Sequence, residues 1–182
     1  SDDWIESKMI EICYNKLIKE KVDVIRCNMF MENGKDLQDV DITSISKKYN
    51  ENEIKSNLID KILNGKLSAY VWLLLIKKNN EIKNLRFSKD IIILEDTLFY
   101  IEMLLKVKSI YVLNKRLYHY CMNEEGLTLS YTNAENKIKG IIKYKKRVKK
   151  ILIEEEIYND EREKEINTVL TNFIMHYIYG LY

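Results

Sequence analysis

The segment Ser1-Asp2-Asp3-Trp4-Ile5-Glu6 places two adjacent carboxylates directly before an amphipathic stretch. Apolar side chains recur at helical spacing over residues 5–20, which predicts a helix there. Carboxylate oxygens are the ligands that Mg²⁺ and Mn²⁺ prefer, so this segment is a candidate metal site. Acidic residues also favour the N-terminus of a helix without binding any ion. On this segment alone both interpretations remain open.

A second acidic pair lies in Leu94-Glu95-Asp96-Thr97-Leu98-Phe99, at the start of another apolar stretch that we expect to be helical. A carboxylate at a helix N-terminus is rigidly placed, and the helix dipole favours its ionised form. Its acidic neighbour shifts the pKa in the opposite direction. Such a group suits a general base that takes a proton from a hydroxyl. Ordinary helix-start acidity is again the alternative.

Strand-like and helix-like patterns alternate around these two pairs. We expect strands at 22–31, 109–113 and 116–122, the last two joined by a tight turn at Asn114-Lys115. We expect helices at 53–64, from 95 onward, and twice after residue 133, with Gly65 as a helix C-cap. The remaining segments are a buried strand or short helix at 69–76 and a turn region with Asn33-Gly34 at 32–46.

Composition restricts the class of protein. The 182 residues are 46% hydrophobic and 32% charged, and the net charge of +2 provides no strong field for nucleic acid or membrane. The apolar runs are far shorter than the roughly 20 residues of a membrane span. Three widely spaced cysteines exclude a disulfide framework and a CxxC zinc site, and they fit a reducing compartment. We therefore expect a soluble, intracellular, globular chain.

Together the two acidic motifs resemble those of family 2 glycosyltransferases with the GT-A fold. In that family an Asp-Ser-Asp-Asp-Trp segment closes a strand and holds the metal that neutralises the sugar-nucleotide diphosphate. A later Glu-Asp-x-x-Phe motif supplies the catalytic base. The resemblance implies that Asp2 is a ligand of Mg²⁺ or Mn²⁺, that Asp96 is the base, and that Glu95 orients or contacts the acceptor. It also implies that Asp3 and Trp4 bind substrate.

Two further segments extend this resemblance. Val71-Trp72-Leu73-Leu74-Leu75 keeps the tryptophan of a family segment that often reads Trp-Asn-Lys-Leu. Tyr118-His119-Tyr120-Cys121-Met122-Asn123 is similar to a Tyr-x-Tyr-Arg element, with Cys121 in place of the arginine. The resemblance implies that Trp72, Tyr118 and Tyr120 bind substrate, and it makes His119 and Asn123 further candidates. Strand alternation places His119 on the opposite face from the two tyrosines.

The resemblance implies an α/β fold, a truncated GT-A-like mixed sheet flanked by helices. Residues 1–132 would form the acceptor-side half of the catalytic domain, and 133–182 a C-terminal helical extension. The implied function is inverting, metal-dependent transfer from a nucleotide-diphosphate sugar to a glycan or lipid-linked acceptor, in surface polysaccharide synthesis. Because the nucleotide-binding half would precede Ser1, we expect a fragment that is inactive alone and self-associates through an unpaired strand edge.

A basic run at 143–150 is the densest positive segment of the chain. On a helix it could contact an anionic bilayer, which would place a cytoplasmic protein at the inner face of the plasma membrane. A solvated face balanced by Glu154-Glu155-Glu156 explains the run equally simply. No nucleic-acid module accompanies it, so we expect no nucleic-acid partner. The alternative function is a non-enzymatic interaction or membrane-docking module whose acidic pairs are helix caps.

Overall fold

A mixed sheet of five strands organises the described part of the chain, which in this computed structural model comprises residues 3–32, 46–121 and 133–179. The strands are β1 (Trp4–Ile5), β2 (Val24–Glu32), β3 (Lys47–Asn50), β4 (Leu74–Ile76) and β5 (Ser109–Cys121). The helices are α1 (Met9–Glu20), α2 (Glu51–Glu53), α3 (Ile59–Leu63), α4 (Glu95–Leu104), α5 (Ala134–Glu154) and α6 (Asp160–Tyr179). A π-helical turn, Ile54–Leu58, joins α2 to α3, and short 3₁₀ turns occupy Val71–Leu73 and Ile82–Asn84.

Strand β5 lies at the centre of the sheet. It pairs in parallel with β2, which pairs in turn with the antiparallel β4. On the other edge of β5, β3 pairs with one end and β1 with the other, both antiparallel. Since β1 follows directly after Asp3, its pairing with β5 fixes the position of Asp3 in the fold.

The tight turn expected at Asn114-Lys115 is wrong, because β5 is one continuous strand with a local irregularity. Between Arg26 and Asn28 of β2 the register on β5 jumps from Val112 to Arg116. Asn28 and Asn114, at this bulge, have hydrogen-bond partners. The Asn28 amide donates to Asn114 Oδ1 over 3.1 Å, and the Asn114 backbone N–H donates to Ser46 Oγ over 2.9 Å.

The first helix begins later than expected. Residues 4 and 5 form β1, with Ile5 opposite Tyr118, and the backbone N–H of Glu6 donates to the Leu117 carbonyl. Helix α1 starts at Met9, and its buried face carries Met9, Cys13 and Leu17. Pairing with β5 therefore takes the segment after Asp3 out of the helical pattern.

Helices cover both faces of the sheet, and the expected α/β fold class is confirmed. On one face, α1 packs over a cluster that includes Ile25, Cys27 and Leu117. On the other, Val24, Ile110 and Val112 meet the buried faces of α3 to α6. Because α5 and α6 share this core, the boundary expected at residue 132 stays a prediction. None of the helices within the described ranges is long and apolar enough to cross a bilayer.

The other helix and strand predictions have mixed outcomes. The helix expected at 53–64 is present from Glu51 to Leu63, and Gly65 follows it with φ of +74°. The segment at 69–76 is both a 3₁₀ turn and a short strand. Helices α4, α5 and α6 are confirmed. The turn expected at Asn33-Gly34 lies outside the described residues.

Buried Arg162 attaches α6 to α3. Its Nε donates to Asp60 Oδ1, and its two Nη atoms donate to the carbonyls of Ile157 and Lys55. Lys55 belongs to the π-helical turn, where the regular helical hydrogen-bond ladder is interrupted. Arg162 thus binds a carbonyl of that turn and fixes the position of α6 against the core.

Candidate active site

The second acidic pair lines a cavity of about 380 Å³. The cavity is enclosed by the segments 62–70 and 92–97 and by residues of α5 and α6. Its walls are mainly apolar, and Glu95 and Asp96 are part of its lining. Both carboxylates are partly buried, as is their neighbour Thr97. The cavity therefore gives a ligand access to two carboxylates in a largely apolar setting.

The backbone before α4 aims the acidic pair at this cavity. Leu94 has φ of +67°, a left-handed conformation that is unfavourable for leucine and often found at functional sites. Buried Ile91 and Ile93 anchor the preceding segment in the core. Helix α5 approaches that segment at Gly140, where an added Cβ would lie 3.3 Å from the Ile92 nitrogen. Close packing of α5 thus supports the strained turn.

Burial controls the electrostatics of the pair. Asp96 Oδ1 accepts hydrogen bonds from the Thr97 backbone N–H over 2.6 Å and from Thr97 Oγ1 over 3.3 Å. Desolvation nevertheless raises the pKa of Asp96 above its usual range. Desolvation and then the charge of Asp96 raise the pKa of Glu95 as well. The sequence predicts two opposing effects on this pKa, from the helix dipole and from the acidic neighbour, and the structure adds desolvation as the largest cause of the shift.

The first acidic motif is attached to β5 through Asp3. Tyr118 Oη donates to Asp3 Oδ2 and the Cys121 backbone N–H donates to Asp3 Oδ1, each over 2.9 Å. Burial, and then the hydrogen bond to Asp3 and the negative charge of Asp3, raise the pKa of Tyr118 to about 12. Both oxygens of Asp3 thus already have protein donors, so Asp3 anchors the strand that follows it.

The remaining metal and phosphate candidates, Asp2 and Asn123, lie outside the described residues. Within the described ranges, no three His, Cys, Asp or Glu side chains are grouped so that they could hold a metal ion. The expected metal site therefore depends on Asp2 and stays a prediction.

A band of four aromatic rings lies between Asp3 and the cavity; we call Tyr70, Trp72, Tyr118 and Tyr120 the aromatic band. The Trp72 ring centroid is 4.3 Å from that of Tyr118, 5.6 Å from Tyr120 and 4.8 Å from Tyr70. Tyr70 in turn lines the cavity that contains Asp96. The band therefore connects the two acidic motifs through contiguous ring contacts.

His119 lies on the other face of β5, as strand alternation predicts. Its ring stacks on Trp4 at 3.3 Å and on Phe30 at 4.6 Å. Its Nδ1 is 2.6 Å from Glu32 Oε1 and its Nε2 is 3.0 Å from Glu6 Oε1. The hydrogen bond with His119 lowers the pKa of Glu32. Trp4 and His119 thus lie apart from the aromatic band and the cavity.

Sequence patterns did not identify several residues that line the cavity. Tyr144 belongs to the basic run, yet it is buried, and its pKa is raised by burial and then by the charge of Asp96. Its spacing from Ile141 and Val148, three and four residues away, could have indicated an inward position. The α6 residues Val169 and Phe173 gave no such signal, because only tertiary packing brings them to the cavity.

The basic run forms much of the exposed surface of α5, and most of its charges have acidic partners. Lys143 pairs with Asp90, Arg147 with Glu102, Lys149 with Glu163, and Lys150 with Glu154. These pairs agree with a balanced, solvated face. Membrane contact through this run stays a prediction.

Comparisons with known proteins bear on the fold. The sequence matches no protein-family model, and no curated protein matches it. Among solved structures, Staphylococcus aureus TarS 1–349 with UDP-GlcNAc is similar, with a TM-score of 0.58 and 16% identity over 98% of this chain and 47% of that chain. The same segment with UDP gives a TM-score of 0.51 and 16% identity over 84% and 44% of the two chains.

A further structure of TarS 1–349 gives a TM-score of 0.55 and 15% identity over 97% of this chain and 43% of that chain. The chain thus spans a little under half the length of the TarS chains that it matches in these structures. At this level of identity the likeness shows the fold, which is glycosyltransferase-like.

Proposed function

We propose that this chain forms the acceptor side of a nucleotide-sugar glycosyltransferase of the family 2 type. The observation that carries the proposal is the partly buried acidic pair, which faces a ligand-sized cavity on a glycosyltransferase-like fold. A carboxylate that only favoured a helix start would gain nothing from desolvation, since burying a charge is unfavourable. The position of Asp96 is therefore better explained by chemistry than by capping.

Asp96 is the proposed general base. It takes the proton from an acceptor hydroxyl as that oxygen attacks the anomeric carbon of the donor sugar. The bond from that carbon to the diphosphate breaks on the opposite face, and the diphosphate departs with the electron pair. A raised pKa suits this role, because a stronger base removes a proton more effectively. Glu95 orients the acceptor.

The proposed donor is a sugar linked to a nucleoside diphosphate. The complexes of TarS with UDP-GlcNAc and with UDP support a uridine diphosphate sugar. The aromatic band offers ring faces on which a sugar or base can stack. A divalent cation, Mg²⁺ or Mn²⁺, bound by Asp2 would neutralise the departing diphosphate. Asp3 serves this site by holding the segment against β5.

We further propose that turnover needs a nucleotide-binding part in addition to these 182 residues. The support is that the chain spans less than half of the TarS chains that it matches. The chain alone would then bind nucleotide weakly and transfer no sugar. The proposed acceptor is a glycan or a lipid-linked glycan of surface polysaccharide synthesis.

The test is the release of UDP from UDP-GlcNAc, by the chain and by the chain extended with any coding sequence upstream of Ser1. In the active form, Asp96→Asn should lower the rate by about 10²- to 10⁴-fold, the usual contribution of a general base. Asp160→Asn is the matched control, because Asp160 is an acidic residue in the first turn of α6 and lies outside the cavity. An unchanged rate for Asp96→Asn would remove Asp96 as the base.

One observation favours the alternative of an interaction module. Ile10, Tyr14 and Ile18 form a stripe along α1, and each is more than half exposed. Such a stripe suits self-association of this chain. Sedimentation of the chain, compared with Ile10→Lys and with Glu11→Lys as the control, tests it. A monomer at every concentration for all three proteins would exclude self-association through this stripe.

A further inference from the structure

We infer that the cavity between the acidic pair and α6 selects an uncharged acceptor with an apolar group beside the reacting hydroxyl. The inference rests on the proposed function, because it takes Asp96 as the group that receives the proton. It adds the chemical class of the acceptor and identifies α6 as the element that determines it.

The cavity walls are suited to an apolar group. Their side chains are mostly aliphatic and come from segments far apart in the chain, among them Ile62, Leu67, Ile93, Ile166 and Leu170. Two aromatic residues with hydroxyl groups, Tyr70 and Tyr144, complete the walls near the acidic pair. A volume of about 380 Å³ lies within the usual range of ligand sites, about 300–1,000 Å³. The space is therefore sufficient for a ring-sized apolar group next to a sugar.

Charge excludes anionic acceptors from the same space. Within the described residues, Glu95 and Asp96 are the only charged side chains that line the cavity, and no lysine, arginine or histidine faces it. A phosphate close to these carboxylates would be repelled by their negative charge, and the low effective dielectric constant at a protein surface strengthens that repulsion. Buried Arg26 lies behind the lining, where its guanidinium donates to Ser68 and to Asn28, and it is not one of the residues that line the cavity. An acceptor that carries phosphate next to its reacting hydroxyl is thus strongly disfavoured.

Helix α6 sets the size of the site. Val169 and Phe173 line the wall that this helix provides, and both are partly buried. Val169 also narrows the cavity near Gly65, where its Cγ2 lies 3.7 Å from the position of an added Cβ. A larger side chain at position 169 would reduce the volume without removing a buried core contact.

Binding to the chain itself tests the inference, with three probes that share a glucose ring. Methyl-labelled protein is titrated with phenyl β-D-glucopyranoside, methyl β-D-glucopyranoside and glucose 6-phosphate, and the methyl resonances of Ile62, Val169 and Leu170 are followed by NMR. We expect saturable shifts with the phenyl glucoside. Burial of a phenyl ring should make its binding at least tenfold tighter than that of the methyl glucoside. Glucose 6-phosphate should give no saturable shift.

Two variants locate the binding in the cavity. Val169→Phe should weaken binding of the phenyl glucoside by tenfold or more, because the new side chain fills the space that the phenyl ring of the ligand would occupy. Met175→Phe adds an aromatic ring to the same helix outside the cavity lining and should leave binding unchanged. If Val169→Phe does not fold, as judged by loss of methyl dispersion in its spectrum, Phe173→Leu takes its place. Phe173→Leu alters the same wall and should change the ratio of the Kd values of the methyl and phenyl glucosides by at least threefold.

Several results would overturn the inference: no saturable binding of the phenyl glucoside, equal binding of glucose 6-phosphate, or unchanged binding in both wall variants. These failures are distinct from failure of the proposed function. If the phenyl glucoside binds but Asp96→Asn releases UDP at the wild-type rate, the general-base role fails, and with it the acceptor assignment that rests on it. If Asp96→Asn abolishes UDP release but the cavity binds no apolar probe, only the inference about the acceptor fails.

Discussion

At the scale of single residues, burial rather than sequence position distinguishes the acidic pair. The sequence predicts that Glu95 and Asp96 begin a helix, and both do so. It could not predict the raised pKa of Asp96, because the cavity walls come from segments at 62–70 and 166–173 that no local pattern joins to the pair. The aromatic candidates for substrate binding likewise occupy positions that the sequence could not predict. Trp72 and Tyr118 meet through tertiary packing, whereas Trp4 stacks on His119 on the opposite face.

Asp96→Asn should unfold at a higher temperature than the wild type at pH 7. The folded-state pKa of Asp96 is raised, so its ionised form destabilises the fold at any pH above that value. The destabilisation disappears as the pH falls through the folded-state pKa to below about 4, the ordinary range of aspartate. The difference in Tm between wild type and variant should therefore shrink on acidification. A variant less stable than the wild type at pH 7 would contradict the burial effect.

Asp3 and Tyr118 should be coupled in stability. Tyr118→Phe removes a hydrogen bond to a charged group, which contributes about 1.5–3 kcal/mol when it is well formed. In a double-mutant cycle with Asp3→Asn, measured by urea unfolding, we expect a coupling of about 1 kcal/mol or more. Tyr120→Phe, on the same strand and in the same aromatic band, is the control and should couple weakly. Equal coupling for both tyrosines would argue against a specific anchor.

At the scale of helices and strands, periodicity predicts most elements, and the errors occur where pairing changes the pattern. The apolar positions of α3 to α6 follow helical spacing because each helix buries one side against the sheet. In β5 the polar pair Asn114-Lys115 has the composition of a turn, but long parallel pairing with β2 holds it in the strand as a bulge. At the start of α1, pairing of Ile5 with Tyr118 competes successfully with helix formation.

Substitutions of Gly140 should lower activity, because at this residue α5 contacts the backbone segment that precedes the acidic pair. The Cβ of Gly140→Ala would lie 3.3 Å from the Ile92 nitrogen, so the 91–93 segment must move. Stability should change by less than about 1 kcal/mol, since the better helix propensity of alanine offsets the displacement. Activity in the UDP-release assay should fall. Gly140→Val should also lose about 1–3 kcal/mol by overpacking.

Asn136→Ala, at an exposed position one turn earlier on α5, is the matched control for this series. It should leave UDP release at the wild-type level and change stability by no more than the helix-propensity gain of alanine, about 0.5 kcal/mol. Full activity in both Gly140 variants would show that the close approach of α5 does not position the acidic pair.

Arg162→Met should loosen α6 from α3. The substitution leaves the carbonyls of Ile157 and Lys55 and the carboxylate of Asp60 without this donor. Removing one partner of a buried ion pair costs about 3–5 kcal/mol, and we expect the lower end because Asp60 is about one-third exposed. Urea unfolding measures the loss, with exposed Lys164→Met on the same helix as the control. A loss below 1 kcal/mol would show that Arg162 is not what holds α6 against α3.

At the scale of the whole molecule, the aromatic band links Asp3 of the first acidic motif to the cavity that the second acidic pair lines. The order of the two motifs in the sequence predicted a glycosyltransferase-like fold, and the similarity to the TarS structures confirms that fold. The connection between the two motifs could not be predicted, because it depends on tertiary contacts of Trp72 with Tyr118 and with Tyr70, which lines the cavity. The central claim is that both motifs serve one site.

Paramagnetic broadening by Mn²⁺ in the presence of UDP measures this claim on the chain itself. If one site contains both motifs, the amide resonances of Asp3–Ile5 and of Glu95–Thr97 should broaden together as Mn²⁺ is added, and Asp2→Asn should weaken both effects. Equal addition of Mg²⁺ should leave the line widths unchanged. Broadening confined to the first motif, with the amides of Glu95–Thr97 unaffected at saturation, would show that the two acidic pairs do not share a site.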